Sequence, residues 1–152
     1  YDDNFFNQFA SILSFVPIFP LIGYGETKFQ PVYVEDLAKL IVRHISDTNK
    51  KNIYEIGGNE IYSLKEIIEF IVKTTNKKRL LLPIPFSISK LFITPLQIMP
   101  KPPITFDQVE SLKQDNILYK LTDNKIGSLG DYMIQPASIK NIVPNYLKRF
   151  SN

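Results

Sequence analysis

The chain has 152 residues, 44% hydrophobic and 22% charged, with 18 basic and 15 acidic side chains giving a net charge of +3. That balance suits a globular protein with a sizeable core, and 11 Phe with 8 Tyr exclude a wholly disordered chain. The lack of Cys excludes disulfides, thiolate nucleophiles and Cys-based metal sites, and the basic clusters Lys50-Lys51 and Lys77-Lys78-Arg79 are too short for a nucleic-acid surface.

The chain opens on Tyr1 rather than Met, so a processed product or a piece of a longer protein is expected. Its acidic, polar start is not that of a secretory signal. Asn7 to Phe15 reads as a short amphipathic helix stopped by Pro17 and Pro20, and Gly23 with Gly25 marks a turn. Phe29 to Val34 is strand-like, with Pro31 where a strand start tolerates it. Glu35 and Asp36 open a helix to about Ser46, with Leu37, Leu40, Ile41 and Ile45 on one stripe. Ile53 to Ile56 is a short strand closed by Gly57-Gly58. Ser63 and Glu66 then form a capping-box pattern, followed by Leu64, Ile67, Ile68, Ile71 and Val72 at helical spacing.

Arg79 to Ile84 is a further strand stopped by Pro83-x-Pro85, and Ser87 to Met99 a helix broken near Pro95. Leu80 to Met99 is the most apolar stretch, but its prolines and Lys90 interrupt the run of about 20 apolar residues a membrane span needs. Pro100, Pro102 and Pro103 form a stiff linker, followed by a short helix from Phe106 to about Lys113 and helical turns at Ser138 to Ile142 and Asn145 to Phe150. Strand and helix alternate as in an α/β protein, with too few strands for a complete doubly wound sheet.

No catalytic or metal-ligating residue is assigned. A dinucleotide cradle needs G-x-G-x-x-G opening a helix, whereas Gly23-Tyr24-Gly25 and Gly57-Gly58 read as turns. Tyr24 and Lys28 have the spacing of a dehydrogenase Tyr/Lys pair, but lie in a turn feeding a strand, where four residues do not define a face. His44 is the only histidine and reads as structural, near a helix C-terminus. Asp2-Asp3 and Glu35-Asp36 read as helix-start anions rather than paired acids for catalysis.

Phe29-Gln-Pro-Val-Tyr-Val-Glu-Asp-Leu-Ala38, Ile53-Tyr-Glu-Ile-Gly-Gly58 and Tyr62-Ser-Leu-Lys-Glu66 together resemble the C-terminal half of the NAD-dependent epimerase/dehydratase family, the extended and atypical short-chain dehydrogenases. Asp3-Asn-Phe-Phe-Asn7, Pro20-Leu-Ile-Gly23, Pro100-Lys-Pro-Pro-Ile-Thr-Phe-Asp-Gln-Val109, Asp115-Asn116 and Pro144-Asn-Tyr-Leu147 are similar to the branch containing the nucleotide-binding accessory subunit of respiratory complex I and its bacterial relatives.

The resemblance implies the C-terminal portion of a Rossmann-type NAD(P)-binding protein: an incomplete parallel sheet with flanking helices and an irregular helical tail. Residues 1–99 would be the substrate-side part, and 100–152 a proline-rich linker and tail packing on it. NAD or NADP would bind to a missing N-terminal Rossmann half, and this chain alone would hold no cofactor. Phe29, Gln30 and Tyr33 would face the substrate cleft, or Phe29 and Tyr33 would instead pack the helix from Leu37 to Ile45; strand alternation puts Phe29, Pro31 and Tyr33 on one side and Gln30 with Val32 on the other. The implied function is a nucleotide-binding accessory module without turnover, partnered by a respiratory-complex subunit, cytoplasmic or peripheral at the inner membrane. The alternatives are part of an active NAD(P)-dependent oxidoreductase or sugar-nucleotide epimerase, or the relic of a split gene.

Overall fold

The computed structural model describes residues 3–48, 51–98, 102, 104–119 and 125–151. The expectations that fall on Asp2, Lys50, Met99, Pro100 and Pro103 lie outside them. In chain order the elements are α1 (Asn4–Phe15), β1 (Ile18–Ile22), a 3-10 turn (Gly23–Gly25), β2 (Lys28–Phe29), α2 (Val34–Ser46), β3 (Ile53–Tyr54), β4 (Tyr62–Ser63) and α3 (Leu64–Thr74). Then come β5 (Leu80–Ile84), α4 (Phe86–Ile93), a 3-10 stretch (Thr94–Ile98), α5 (Phe106–Ser111), β6 (Ile126–Gly127), a 3-10 turn (Leu129–Tyr132), α6 (Ile139–Leu147) and a last 3-10 turn (Lys148–Phe150). The fold class is α/β, with short parallel strand pairs flanked by helices.

The chain divides into two compact units that interleave in sequence: unit one is Tyr1–Phe29, Tyr62–Asp115 and Val143–Asn152, and unit two is Gln30–Ile61 and Asn116–Ile142. In unit one, Asp3 starts α1 by accepting hydrogen bonds from the Phe5 and Phe6 amides at 3.0 and 3.2 Å. The capping box at α3 forms as expected: the Ser63 amide donates to Glu66 at 2.7 Å and the Glu66 amide to Ser63 Oγ at 3.2 Å. Leu64, Ile67, Ile68 and Ile71 of α3 are buried, as are Phe6, Ala10 and Leu13 of α1, which packs on it. A further cluster joins Ile22, Ile84, Ile93 and Val109, with Phe86 against it.

Two departures here concern proline. Pro17 and Pro20 suggest no strand, yet β1 runs through Pro20 and pairs in parallel with β5, Ile18 opposite Leu80 and Leu21 opposite Pro83. Likewise β5 passes through Pro83 and ends before Pro85. A missing amide is tolerated because each strand is paired on one side only among the described residues. β2 and β4 pair antiparallel, Phe29 opposite Tyr62, and the Lys28 amide donates to Asp115 Oδ1 at 2.8 Å. Of the strand expected over Phe29 to Val34 only Phe29 pairs, at the end of β2, and Val34 already belongs to α2. The two C-terminal helical turns expected either side of Pro144 merge into α6, with Pro144 inside it.

Unit two holds α2 and the parallel pair β3–β6, Ile53 opposite Ile126. Its core gathers Leu40, Leu129 and Ile134, with Val32, Tyr54, Ile56 and Tyr132 packed against them. The expected stripe of α2 splits: Leu40 faces this core, whereas Ile41 and Ile45 are exposed. Asp36 does not act as a helix-start anion open to solvent. It is 1% exposed, and its carboxylate accepts from the Ala137 amide at 2.7 Å and from Lys39 Nζ at 3.0 Å. A local pattern reveals the acid; only the chain's return one hundred residues later explains its burial.

Candidate functional site

The three residues expected at a cleft fall in different surroundings. Phe29, in unit one, is half-buried, its ring 5.4 Å from that of Phe5 and tilted against it. Tyr33, in unit two, is half-buried at the start of α2, where its carbonyl accepts from the Asp36 and Leu37 amides at 3.0 and 3.3 Å.

Gln30, also in unit two, is a clamp. Its Nε2 donates to the Gly58 carbonyl at 2.7 Å, its Oε1 accepts from the Leu118 amide at 2.9 Å, and its own amide donates to the Asn116 carbonyl at 3.0 Å. The Gly57-Gly58 turn is filled by this packing. A Cβ on Gly57 would lie 2.7 Å from Gln30 Cδ, and one on Gly58 would lie 1.9 Å from the Pro31 carbonyl oxygen. These glycines admit the protein's own chain and leave no concavity for a pyrophosphate. Gly23 and Gly25 are similarly closed by Phe86 and Lys65, and both adopt positive φ, as does Tyr24 between them at +60°. Tyr24 and Lys28 thus sit in a left-handed turn and in β2, with no helix to give their spacing a common face. Neither glycine turn therefore offers a dinucleotide pyrophosphate a cradle. The described residues also contain no group of three or more His, Asp or Glu placed to hold a metal.

Sequence reasoning missed a hydrogen-bonded cluster in unit two. The Tyr132 hydroxyl donates to Asp47 Oδ2 at 3.0 Å and lies 3.0 Å from the Tyr54 hydroxyl and 3.3 Å from His44 Nδ1. The Tyr54 and Tyr132 rings stack at 5.9 Å, and His44 meets Tyr54 edge-on at 5.1 Å. Arg43 donates to the Tyr132 carbonyl, and Lys51 Nζ pairs with Asp131 at 3.1 Å. Loss of hydration, then the hydrogen bonds with Tyr54 and Asp47, push the Tyr132 phenol well above the usual tyrosine range. It is held as a donor, not a base, and fastens the segment after β6 to α2. His44 gave a one-residue hint; its partners lie too far away in sequence for any spacing rule.

The feature of unit two most suited to binding is the outer face of α2. Val34, Ala38, Ile41, Val42 and Ile45 recur at i, i+4, i+7, i+8 and i+11, and Val34 and Ile45 are 68% and 71% exposed. A hollow of about 390 Å³ beside this stripe is lined by Glu35, Ala38, Lys39, Val42 and Arg43. The helix thus carries one apolar face inward and a second outward. Contiguous outward apolar surface marks a place where another surface belongs.

No family model matches the chain. It is 28% identical over 160 aligned positions to the NADH dehydrogenase [ubiquinone] 1 alpha subcomplex subunit 9, mitochondrial, of Arabidopsis thaliana, covering 98% of this chain and 39% of the relative. The mouse protein of the same name is 28% identical over 146 positions, covering 91% of this chain and 36% of the relative. The chain therefore spans under two fifths of the length of these relatives. Among solved structures, the triphenylmethane reductase of Citrobacter sp. superposes with a TM-score of 0.66 at 19% identity, over 97% of this chain and 50% of that one. The resemblance read from the sequence is borne out: the relatives are NADH dehydrogenase [ubiquinone] subunits, and the chain shares the Rossmann-like fold of the reductase.

Proposed function

We propose, from the likeness to respiratory-complex subunits, that this chain is the substrate-side part of a nucleotide-binding accessory module and works by packing against a nucleotide-binding half. The observation that carries the reading is the outward stripe of α2. Covering four Val and Ile side chains already partly buried is worth on the order of 1 kcal/mol each. A partner with an apolar sheet or helix face would collect that term. The neighbouring parallel pair β3–β6 supports the same partner, since parallel strands rarely stand as isolated pairs and Ile53 is exposed.

In this reading NAD or NADP is held by the partner half. This chain's own turns are filled by Gln30, Pro31, Phe86 and Lys65. Gln30 and Tyr33 act by shaping the loop beside α2, and no turnover is assigned to them. Apposition to a complex I-like assembly is part of the proposal and rests on the relatives.

The test is a titration of NADH and NADPH, followed by nucleotide fluorescence, into this chain and into the product of the reading frame carried upstream of Tyr1. The longer product should bind one nucleotide and this chain neither. Saturable binding by this chain, or by neither protein, would sink the reading.

A further inference from the structure

The hydrogen-bonded cluster of unit two brings together an imidazole, a carboxylate and two phenols, each a side chain that can ligate a metal. Three backbone segments supply them. His44 lies in the last turn of α2 and Asp47 is its C-cap, Tyr54 ends β3, and Tyr132 ends the 3-10 turn after β6. The two tyrosines pack on the core of Leu40, Leu129 and Ile134, so their oxygens are carried on a fixed base. Around the Tyr132 oxygen stand Asp47 Oδ2 and the Tyr54 oxygen, both at 3.0 Å, and His44 Nδ1 at 3.3 Å. Donors about 2.0–2.1 Å from a small cation lie about 2.9 Å apart at a right angle and about 3.4 Å apart at the tetrahedral angle. Hydrogen bonds share that spacing. What sets this cluster apart is the convergence of all four donors on one oxygen. All four side chains are half-buried, fixed on one side and reachable from the other.

We propose that His44, Asp47, Tyr54 and Tyr132 form a binding site for one ferric ion. Charge and hardness select the ion. With both phenols ionised the set carries three negative charges and a neutral imidazole, which together balance a trivalent cation. Three of the four donors are hard oxygens and the chain holds no thiolate, a set that disfavours softer metals. The flanking cations are engaged elsewhere: Lys51 Nζ pairs with Asp131 at 3.1 Å, and Arg43 donates to the Tyr132 carbonyl. On binding, the two phenolic protons leave to solvent and two positions of an octahedral shell remain for water. Loss of hydration and the hydrogen bonds to Tyr54 and Asp47 hold the Tyr132 proton tightly, so the site loads more readily as pH rises. The inference uses neither the outward stripe of α2 nor a nucleotide, so it and the nucleotide-binding reading fail independently.

The experiment is a titration of the purified chain with ferric nitrilotriacetate, followed by visible absorption. Iron held by phenolate gives a charge-transfer band that the chelate and a free phenol both lack, and the band should saturate at one iron per chain. Tyr132→Phe should abolish it and Tyr54→Phe should weaken it. Tyr119→Phe, which removes an exposed phenol of the same unit, should leave it unchanged. Because Tyr132→Phe also removes hydrogen bonds of the fold, Asp47→Asn is the second variant. Its amide oxygen still accepts from Tyr132, so its melting temperature should stay near that of the parent while iron affinity falls about tenfold or more. Gallium(III), trivalent and equally hard, should bleach the band by competition, and zinc(II) at the same concentration should not. The proposal is overturned by a parent chain that gives no band, by an unchanged band in Tyr132→Phe, by unchanged affinity in Asp47→Asn, or by zinc competing as well as gallium.

Discussion

Asp36 does two jobs with one carboxylate, so truncating it leaves the Ala137 amide without its acceptor and Lys39 without its counter-charge. Asp36→Ala should cost on the order of 2–3 kcal/mol by urea denaturation, and Asp36→Asn distinctly less, because an amide oxygen can still accept from Ala137. Equal costs would show that the amide bond is not what matters. Two phenols raised by the fold contribute to the alkaline dependence of stability. Burial raises Tyr146 ahead of its 2.6 Å hydrogen bond to Asp3, with Arg149 opposing; loss of hydration likewise leads for Tyr132. A folded-state pKa above the unfolded value means that the neutral form is favoured by folding. That stability is whole below the ordinary tyrosine value of about 10 and is lost as pH rises past it. Unfolding free energy should thus decline above about pH 10, and less steeply in Tyr146→Phe; parallel pH profiles would contradict this assignment. At the acid end the Ser128 amide hydrogen bond, opposed by burial and aided by Lys51, lowers Asp131. Its contribution is therefore present above the ordinary carboxylate range and lost as pH falls below it.

Elements were legible in the sequence where their determinants are local. The α3 cap lies within four residues, so Ser63 and Glu66 announce it before any tertiary contact exists. β1 hides for the opposite reason. Its prolines read as breakers, and what makes it a strand is pairing with β5 some sixty residues away. The period of α2 identifies apolar positions, but with apolar residues on two faces it cannot say which one turns inward. Gln30 was legible as a candidate, whereas its use as a clamp depends on Gly58 and Leu118 coming to it. That packing gives a sharp expectation. Gly58→Ala pushes a Cβ into the Pro31 carbonyl, backbone against backbone, and should destabilise unit two by about 3 kcal/mol or more in chemical denaturation. A loss under about 1 kcal/mol would mean that the turn can open without strain.

At the scale of the whole molecule, a chain that matches under two fifths of its relatives' length also carries apolar surface on α2 that its own core does not use. If that surface serves association, Ile41→Lys/Ile45→Lys should leave monomer stability within about 0.5 kcal/mol of the parent, because both side chains already meet water. The same pair should weaken the binding of a separately produced nucleotide-binding half in sedimentation velocity. Leu40→Ala, one position away on the inward face, should instead cost about 2–5 kcal/mol. Similar costs for the two variants would mean that the outward stripe is part of a core after all.

The pairing of Phe29 with Tyr62 has a further consequence, for the order of events during folding. Everything from Gln30 to Ile61 leaves unit one and re-enters it at a single rung, so the segment is an inserted loop spliced into a hairpin. Closing so long a loop before its ends meet costs about 2 kcal/mol more than closing a tight turn, since each doubling of length adds about 0.6 kcal/mol. A version in which an Asn-Gly turn replaces the insertion should bring β2 and β4 together sooner and speed the ordering of α3 in stopped-flow refolding. The amino acids that give unit two its clamp and its tyrosine cluster would then be a kinetic burden on unit one, carried for what they do once folded.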